Sequence, residues 1–309
     1  PNQSFFEWGK SHGEQFSLEI KELAAIRREL MLAKNPSLAN SIDELAKEQY
    51  SITKKFNPNL GDELDGIIEG SKVSLSDIII LNNYTDFRDI SLADEGCTTV
   101  GLNKTVPLSA QTWDMHASAK RFLCSIELPC GTILLSLVGC LGMMGANDQG
   151  LFVGVNNLNT NDARNGIIWS VLVRSLLQKE NITDLRQELV TAPVTSGHNY
   201  LISDGKTWQH YEVSPTVKEV QQEFSDSSVS FHTNHCLSAN AIAVQDQISV
   251  NSTTHERFEY CQKNIEKVNS QQELIGFLQS HDGYPKSICS HFQSEAQDPS
   301  TTCGGGLYK

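Results

Sequence analysis

Cys97 follows Gly96 in the run Glu95-Gly96-Cys97-Thr98-Thr99, where a helix-like texture gives way to a strand-like one. A cysteine beside a glycine is most often a small core side chain. The alternative chemistry here is specific. A thiol can attack the carbonyl carbon of the residue before it and form a thioester, which water then opens. Glycine before the cysteine leaves that carbonyl unshielded and tolerates unusual backbone angles. Such a cut makes Cys97 an N-terminus, whose own α-amine can accept the thiol proton. An α-amine has a pKa of about 7.7–8.0 and a thiol about 8.5, so that transfer is easy near neutral pH.

Two further clusters contain reactive or polar types. Asp114 closes the run Gln111-Thr112-Trp113-Asp114 at the end of the second strand after Cys97. A hairpin partner of the Cys97 strand can return a carboxylate to the new amine and hold it. The competing reading is an aspartate that shapes a turn at a strand end. The run His232-Thr233-Asn234-His235-Cys236 is the second cluster. On a strand, its His and Cys side chains point to both faces and do not converge on one ion, so no metal site is expected. The Asn234 amide is a neutral donor suited to an oxyanion on an acyl carbon. Gly139-x-x-Gly142-x-x-Gly145 lacks the spacing of a phosphate loop and is followed by strand-like residues, so a tight strand-turn-strand passage is expected there.

The elements that position these residues fall into two groups. Apolar residues recur at helical spacing over 14–34, through Phe16, Ile20, Leu23, Ile26 and Leu30, and again over 41–56. A third helix is expected over 63–70, with Gly70 as its C-cap. Ser74 and Asp77 form a capping box for a fourth over 75–82. From Cys97 onward, strands are expected at 98–102, 107–113, 122–128, 132–138 and 151–156. Helices follow at 167–178 and 184–191, strands at 199–203, 209–213 and 230–233, and helices at 254–268 and 271–278. Helices set between two groups of strands give an α+β class and suggest layers of helix, sheet, sheet and helix.

The 309 residues are 39% hydrophobic and 20% charged, which supports a sizeable core. The formal net charge of -13, without a Lys/Arg cluster, argues against nucleic acid or an anionic membrane as partner. No apolar run approaches the roughly 18 residues of a bilayer span. Residues 1–10 lack the apolar segment of a signal peptide, although the chain starts at Pro1 and an upstream segment is open. Eight cysteines without a Cys-x-x-Cys pair suggest a reducing, cytoplasmic setting.

Read together, the motifs give the sequence a family likeness. Trp8-Gly9-x-x-His12-Gly13, Glu63-x-x-Gly66-Ile67-x-x-Gly70, Leu81-Asn82-x-x-Thr85-x-Phe87 and Gly96-Cys97-Thr98-Thr99 come in order. Gln111-x-Trp113-Asp114, His232-Thr233-Asn234-His235-Cys236-Leu237 and Tyr284-Pro285-x-Ser287-Ile288-Cys289 come after them. In this order the chain resembles, nearly end to end, the acyl-coenzyme A:6-aminopenicillanic acid acyltransferase family of N-terminal-nucleophile enzymes. The resemblance implies a four-layer αββα sandwich with a helical N-terminal part. It implies a precursor cut at Gly96-Cys97 into a helical α chain, 1–96, and a catalytic β chain, 97–309, which stay together as a heterodimer. Cys97 would be the nucleophile, Asp114 would position the catalytic end, and Asn234 would stabilise the oxyanion. Asn156, Thr98 and His235 are weaker substrate-pocket candidates. The substrate would be a small acyl amide or acyl thioester. No cofactor and no metal are expected, with acyl-coenzyme A entering only as an acyl donor.

Two departures bear on this expectation. The penicillin-forming member carries an arginine shortly after its Ser-Ile-Cys motif that serves its active site, whereas residues 294–302 here contain none. The family also continues through further strands where this sequence ends at Cys303-Gly304-Gly305-Gly306-Leu307-Tyr308-Lys309, so a truncated or divergent end is expected. Edge strands missing there would leave sheet hydrogen bonds unpaired. The rival readings are a non-catalytic relative that binds a small molecule and a thiol protein in which Gly96-Cys97 stays joined.

Overall fold

Ser4 opens the first helix through a reciprocal cap: its hydroxyl accepts from the Glu7 amide, and the Glu7 carboxylate accepts from the Ser4 amide at 3.0 Å. This computed structural model describes residues 3–86, 96–224, 228–249, 251–291 and 300–309. Phe87, Glu95 and residues 294–299 of the arginine-free stretch therefore lie outside the described residues.

Five helices come first: α1 (Phe5–Gln15), α2 (Ser17–Lys34), α3 (Ile42–Phe56), α4 (Pro58–Ser71) and α5 (Leu75–Asn82). The helix expected from residue 14 is thus two, because the chain leaves helical geometry at Phe16 (φ -116). α1 escaped the periodicity reading because the residues it buries are Gly9 and Gly13, which carry no apolar side chain. Those glycines face Gly66 and Gly70 of α4. A Cβ on Gly9, Gly66 or Gly70 would overlap a backbone carbonyl oxygen of the opposite helix, that of Glu63, Phe6 or Lys10. The two helices therefore pack backbone to backbone. This also corrects the expected C-cap at Gly70: α4 runs on to Ser71, and Lys72 takes the left-handed cap (φ 59, ψ 26). Ser74 caps α5 as expected, accepting from the Asp77 amide at 3.1 Å.

Strands then alternate with helices: β1 (Thr99–Asn103), β2 (Pro107–His116), β3 (Leu123–Glu127), β4 (Ile133–Leu137), β5 (Met144–Ala146), β6 (Phe152–Leu158), α6 (Trp169–Leu176), α7 (Ile182–Thr191), β7 (Gly197–Ser203), β8 (Trp208–Val213), β9 (Lys218–Phe224), β10 (Val229–His232), α8 (Ala239–Val244), α9 (Thr254–Asn264), α10 (Gln271–Leu278) and β11 (Ser300–Tyr308). They form two antiparallel sheets, one ordered β10-β1-β2-β11 and the other β3-β4-β5-β6-β7-β8-β9.

Alternation along the strands sets the layers. In β6, Val153 and Val155 pack with Leu172, Leu176, Leu185 and Leu189 of α6 and α7 on one face of the large sheet. Residues of alternate positions face the small sheet: Asn156 meets Thr99, and the indole of Trp208 donates to Ser109 Oγ at 3.0 Å. Beyond the small sheet, Val100, Leu102, Leu108 and Ala110 bury Cys261, Ile265, Leu274 and Phe277 of α9, α10 and the turn between them. The order is helix, sheet, sheet, helix, as expected, with α1–α5 as the helical N-terminal part. A third core joins that part to the sandwich: Ile20, Leu64, Ile67 and Ile80 share it with Cys97, Trp113, Met115, Leu137 and Leu141.

Candidate active site

The Gly96–Cys97 peptide lies at the mouth of β1, bridged to the last part of β2. Gly96 pairs with Asp114: the Asp114 amide donates to the Gly96 carbonyl at 2.7 Å, and the Gly96 amide reaches the Asp114 carbonyl at 3.4 Å. The register Thr99↔Gln111 extends this hairpin pairing and explains why Asp114 returns to the junction. Gly96 has no side chain for a local reason. A Cβ there would stand 2.5 Å from Asp114 Oδ2 and 3.0 Å from Arg257 Nη2, so the carboxylate and the guanidinium occupy that space.

Cys97 is 7% exposed. Its amide donates to Asn234 Oδ1 at 2.8 Å. Its carbonyl accepts from Asn156 Nδ2 at 3.0 Å and from Arg257 Nη1 at 2.7 Å. Asn234 also accepts from Arg257 Nη2 at 2.8 Å through the same oxygen, and its Nδ2 donates to the Asn157 carbonyl at 3.0 Å. Two donors on one side and a carbonyl on the other assign the amide unambiguously. In the uncut chain Asn234 thus presents its acceptor oxygen, not its NH2, to Cys97. The turn carrying Asn234 is anchored from below by buried Glu212, which accepts from His232 Nε2 at 3.0 Å and from the Leu237 and Ser238 amides at 2.6 and 2.7 Å.

Asp114 is buried, and desolvation pushes its carboxyl up to about 6 against the opposing pull of Arg257 and of the Thr302 hydroxyl. Thr302 donates to Asp114 Oδ1 at 2.7 Å from β11, the strand paired with β2. Burial, which disfavours the charge, outweighs the cation and the hydrogen bond here.

The three residues expected to do chemistry therefore converge. The weaker pocket candidates take other places. Asn156 is fully buried behind Cys97, where its Oδ1 accepts from Thr99 Oγ1 and Asn199 Nδ2. Thr98 is buried with its hydroxyl accepting from Arg257 at 3.0 Å. His235 bonds Thr254 Oγ1 and packs on His255 and Phe258, away from the junction. A small cavity opens beside Cys97. Trp113, Met115, Met143, Trp169 and Val155 give it an apolar wall, and Asn157, next to Asn156, lines it.

Arg257 escaped the sequence reading. It sits in α9 in the run Thr254-His255-Glu256-Arg257, which has the texture of a solvated helix face. Its 1% exposure and its bonds to Cys97, Thr98 and Asn234 mark it as part of the site. Helical phase offered a faint signal, since Cys261, one turn on, is also buried.

With that geometry in place, comparisons with known proteins bear on the family. A sequence model described as acyl-coenzyme A:6-aminopenicillanic acid acyl-transferase matches residues 103–303, well over half of the chain. The 40 kDa form of acyl-coenzyme A:6-aminopenicillanic-acid-acyltransferase from Emericella nidulans is 25% identical over 308 residues, covering 96% of this chain and 85% of that protein. Among solved structures, penicillin V acylase from Agrobacterium tumefaciens matches with a TM-score of 0.38 and 9% identity, over 65% of this chain and 74% of that one. By the extent of the family match, this chain belongs to the acyl-coenzyme A:6-aminopenicillanic acid acyltransferase family.

Proposed function

We propose that the chain is made as a precursor, cuts itself between Gly96 and Cys97, and then uses Cys97 to hydrolyse or transfer an acyl group of a small amide or thioester. The observation that carries this reading is the hold on the Gly96–Cys97 peptide: its carbonyl oxygen takes the Asp114 amide at 2.7 Å, and its nitrogen is fixed by Asn234 Oδ1 at 2.8 Å. A donor on the carbonyl oxygen stabilises the charge that grows there under attack.

The cutting step balances within the chain. Sγ of Cys97 attacks the Gly96 carbonyl carbon, the C–N bond breaks, and the thiol proton passes to the departing nitrogen. Water then opens the thioester, leaving a Gly96 carboxylate, a free thiol and a new α-amine. Asn234 Oδ1 receives that amine and Asp114 supplies a nearby carboxylate. In turnover the amine takes the thiol proton, Sγ attacks the substrate acyl carbon, and the proton goes to the leaving amine or thiol. Water or a second amine then accepts the acyl group. Asn234 stabilises the oxyanion in this stage if its NH2 leaves the Asn157 carbonyl once Gly96 is free. No cofactor enters these steps; acyl-coenzyme A would serve as a donor. The apolar wall beside Cys97 suits an apolar acyl group. The core shared by residues on both sides of the junction supports a heterodimer that persists after cutting.

The test is a panel of N-acyl amines and acyl thioesters offered to the processed enzyme and to its variants. The expected result is turnover that Asn234→Ala lowers about a hundredfold or more in kcat, the usual cost of one lost oxyanion donor. Cys97→Ser should be slow in both cutting and turnover, because a hydroxyl is far harder to deprotonate than a thiol. An unchanged kcat in Asn234→Ala would move the oxyanion role to other donors. Binding of substrates without turnover in the cut enzyme would favour a binding protein instead.

A further inference from the structure

The run Tyr284-Pro285-x-Ser287-Ile288-Cys289 takes no part in these steps, yet it lies in the loop that brings His281, Cys289 and His291 together. Each of the three offers a ligand atom, and these atoms lie within 4.8 Å of one another. We propose that they form a site for a soft divalent cation, with zinc the expected ion and a water in the fourth position.

Several observations point the same way. Cys289 Sγ and His291 Nε2 are 3.5 Å apart. Two ligands on one tetrahedral zinc, at about 2.3 Å for sulfur and 2.0–2.1 Å for nitrogen, stand about 3.5 Å from each other. The His291 tautomer is the ligating one. The Thr301 hydroxyl gives its proton to the Ser290 carbonyl at 3.1 Å, so it accepts from His291 Nδ1–H, also at 3.1 Å. That leaves the lone pair on Nε2, facing the sulfur, and provides the partner on the other nitrogen that metal-bound histidines use. The loop is already ordered around the site: the Cys289 amide donates to the Ser280 carbonyl at 3.0 Å, and the Tyr284 hydroxyl to the His291 carbonyl at 2.8 Å. Cys289 is buried while both histidines are exposed, so an ion can enter from solvent and keep a water. Two imidazoles and a thiolate select zinc and its neighbours over calcium or magnesium. On binding, the Cys289 thiol proton passes to the buffer as the S–Zn bond forms.

The site has a structural consequence. The Ser290 amide donates to Thr302 Oγ1 at 2.9 Å, and that hydroxyl donates to Asp114 Oδ1. An ion on Cys289 and His291 would pin this loop to β11 and hold Thr302 against Asp114. The sequence pattern His-x7-Cys-x-His resembles no common zinc spacing, because one ligand arrives from the near end of a folded loop.

The test uses the full chain in a Cys97→Ala background, which keeps the junction uncut and removes the nucleophilic thiol from competition. Reduced, chelator-stripped protein is titrated with Co²⁺, followed by the thiolate-to-cobalt charge-transfer absorption and the visible bands of tetrahedral cobalt. Saturation at one equivalent is expected, with displacement by Zn²⁺. Adding Cys289→Ser should abolish the charge-transfer band. Adding His281→Ala, an exposed change that the fold tolerates, or His291→Ala should weaken cobalt binding at least tenfold. Adding Thr301→Val should weaken it about 10–100-fold, as for other lost partners of ligating histidines. Absence of saturable binding in the background chain, or equal binding in the His281→Ala variant, would overturn the proposal.

Discussion

At Gly96 the requirement for no side chain comes from its neighbours, since Asp114 Oδ2 and Arg257 Nη2 fill the Cβ position. Gly96→Ala therefore has to displace a buried carboxylate or a buried guanidinium. The expected outcome is slowed cutting with a folded precursor, read as the fraction of uncut chain over time in purified protein. Cutting at the parental rate would mean that the close approach of Asp114 is irrelevant to the junction. At this scale much of the site was legible. A thiol after glycine, a carboxylate at a strand end and an amide in a His-rich run each admit a chemical role, but it is their places in motifs resembling the family's that singled out Cys97, Asp114 and Asn234 as candidates. Arg257 was not legible, because a charged residue on a polar helix carries no mark of burial in its type. The orientation of Asn234 was not legible either: which end of an amide faces Cys97 depends on Arg257 and Asn157, far away in sequence.

Among the elements, α1 and α4 show how glycines do the work that apolar side chains do elsewhere. A Cβ at Gly66 would overlap the Phe6 carbonyl oxygen, which is backbone and cannot rotate away. Gly66→Ala gains up to about 1 kcal/mol in helix propensity, but overpacking of this kind costs about 1–3 kcal/mol and outweighs it. A lower urea midpoint is expected. Gly276 in α10 is the control, because a Cβ there meets nothing within 4 Å. Gly276→Ala should raise stability by about 0.4–1 kcal/mol. Equal effects at the two positions would show that the helices separate freely. The Gly-x-x-x-Gly spacing was visible in the sequence, but its meaning needs the facing helix. Central strands such as β6 and β7 were legible from their apolar runs. β9 was missed because Lys218-Glu219-Val220-Gln221 is an edge segment of polar residues, and β11 because three successive glycines carry little strand propensity. Pairing with β2 holds β11 in place despite its composition.

For the whole molecule, the N-terminal helices and the sandwich are joined through buried groups that include charge. Arg174 of α6 meets Glu63 of α4 in an ion pair with both side chains 2% exposed. Asp86, fully buried beside Ser196, has its carboxyl raised from 3.8 to about 8 by desolvation, with hydrogen bonds from Ser196 and the Trp169 backbone opposing. In the folded protein this carboxyl keeps its proton where the unfolded chain has lost it. The folded state then binds more protons, so this contribution is present below about pH 4 and is lost as pH rises to about 8. Asp86→Asn has no such proton to lose. Urea unfolding should show a shallower decline for Asp86→Asn between those limits, and greater stability than the parent above pH 8; parallel curves would mean the carboxyl is solvated in the native state. The chemistry proposed for the site depends on one peptide bond being cut, Gly96–Cys97. The direct measurement is the intact mass, with N-terminal sequencing, of freshly purified protein and of Cys97→Ala. Two fragments, the larger beginning Cys97-Thr98-Thr99, with Cys97→Ala remaining one chain, is the predicted result. An active enzyme that stays a single uncut chain would contradict it.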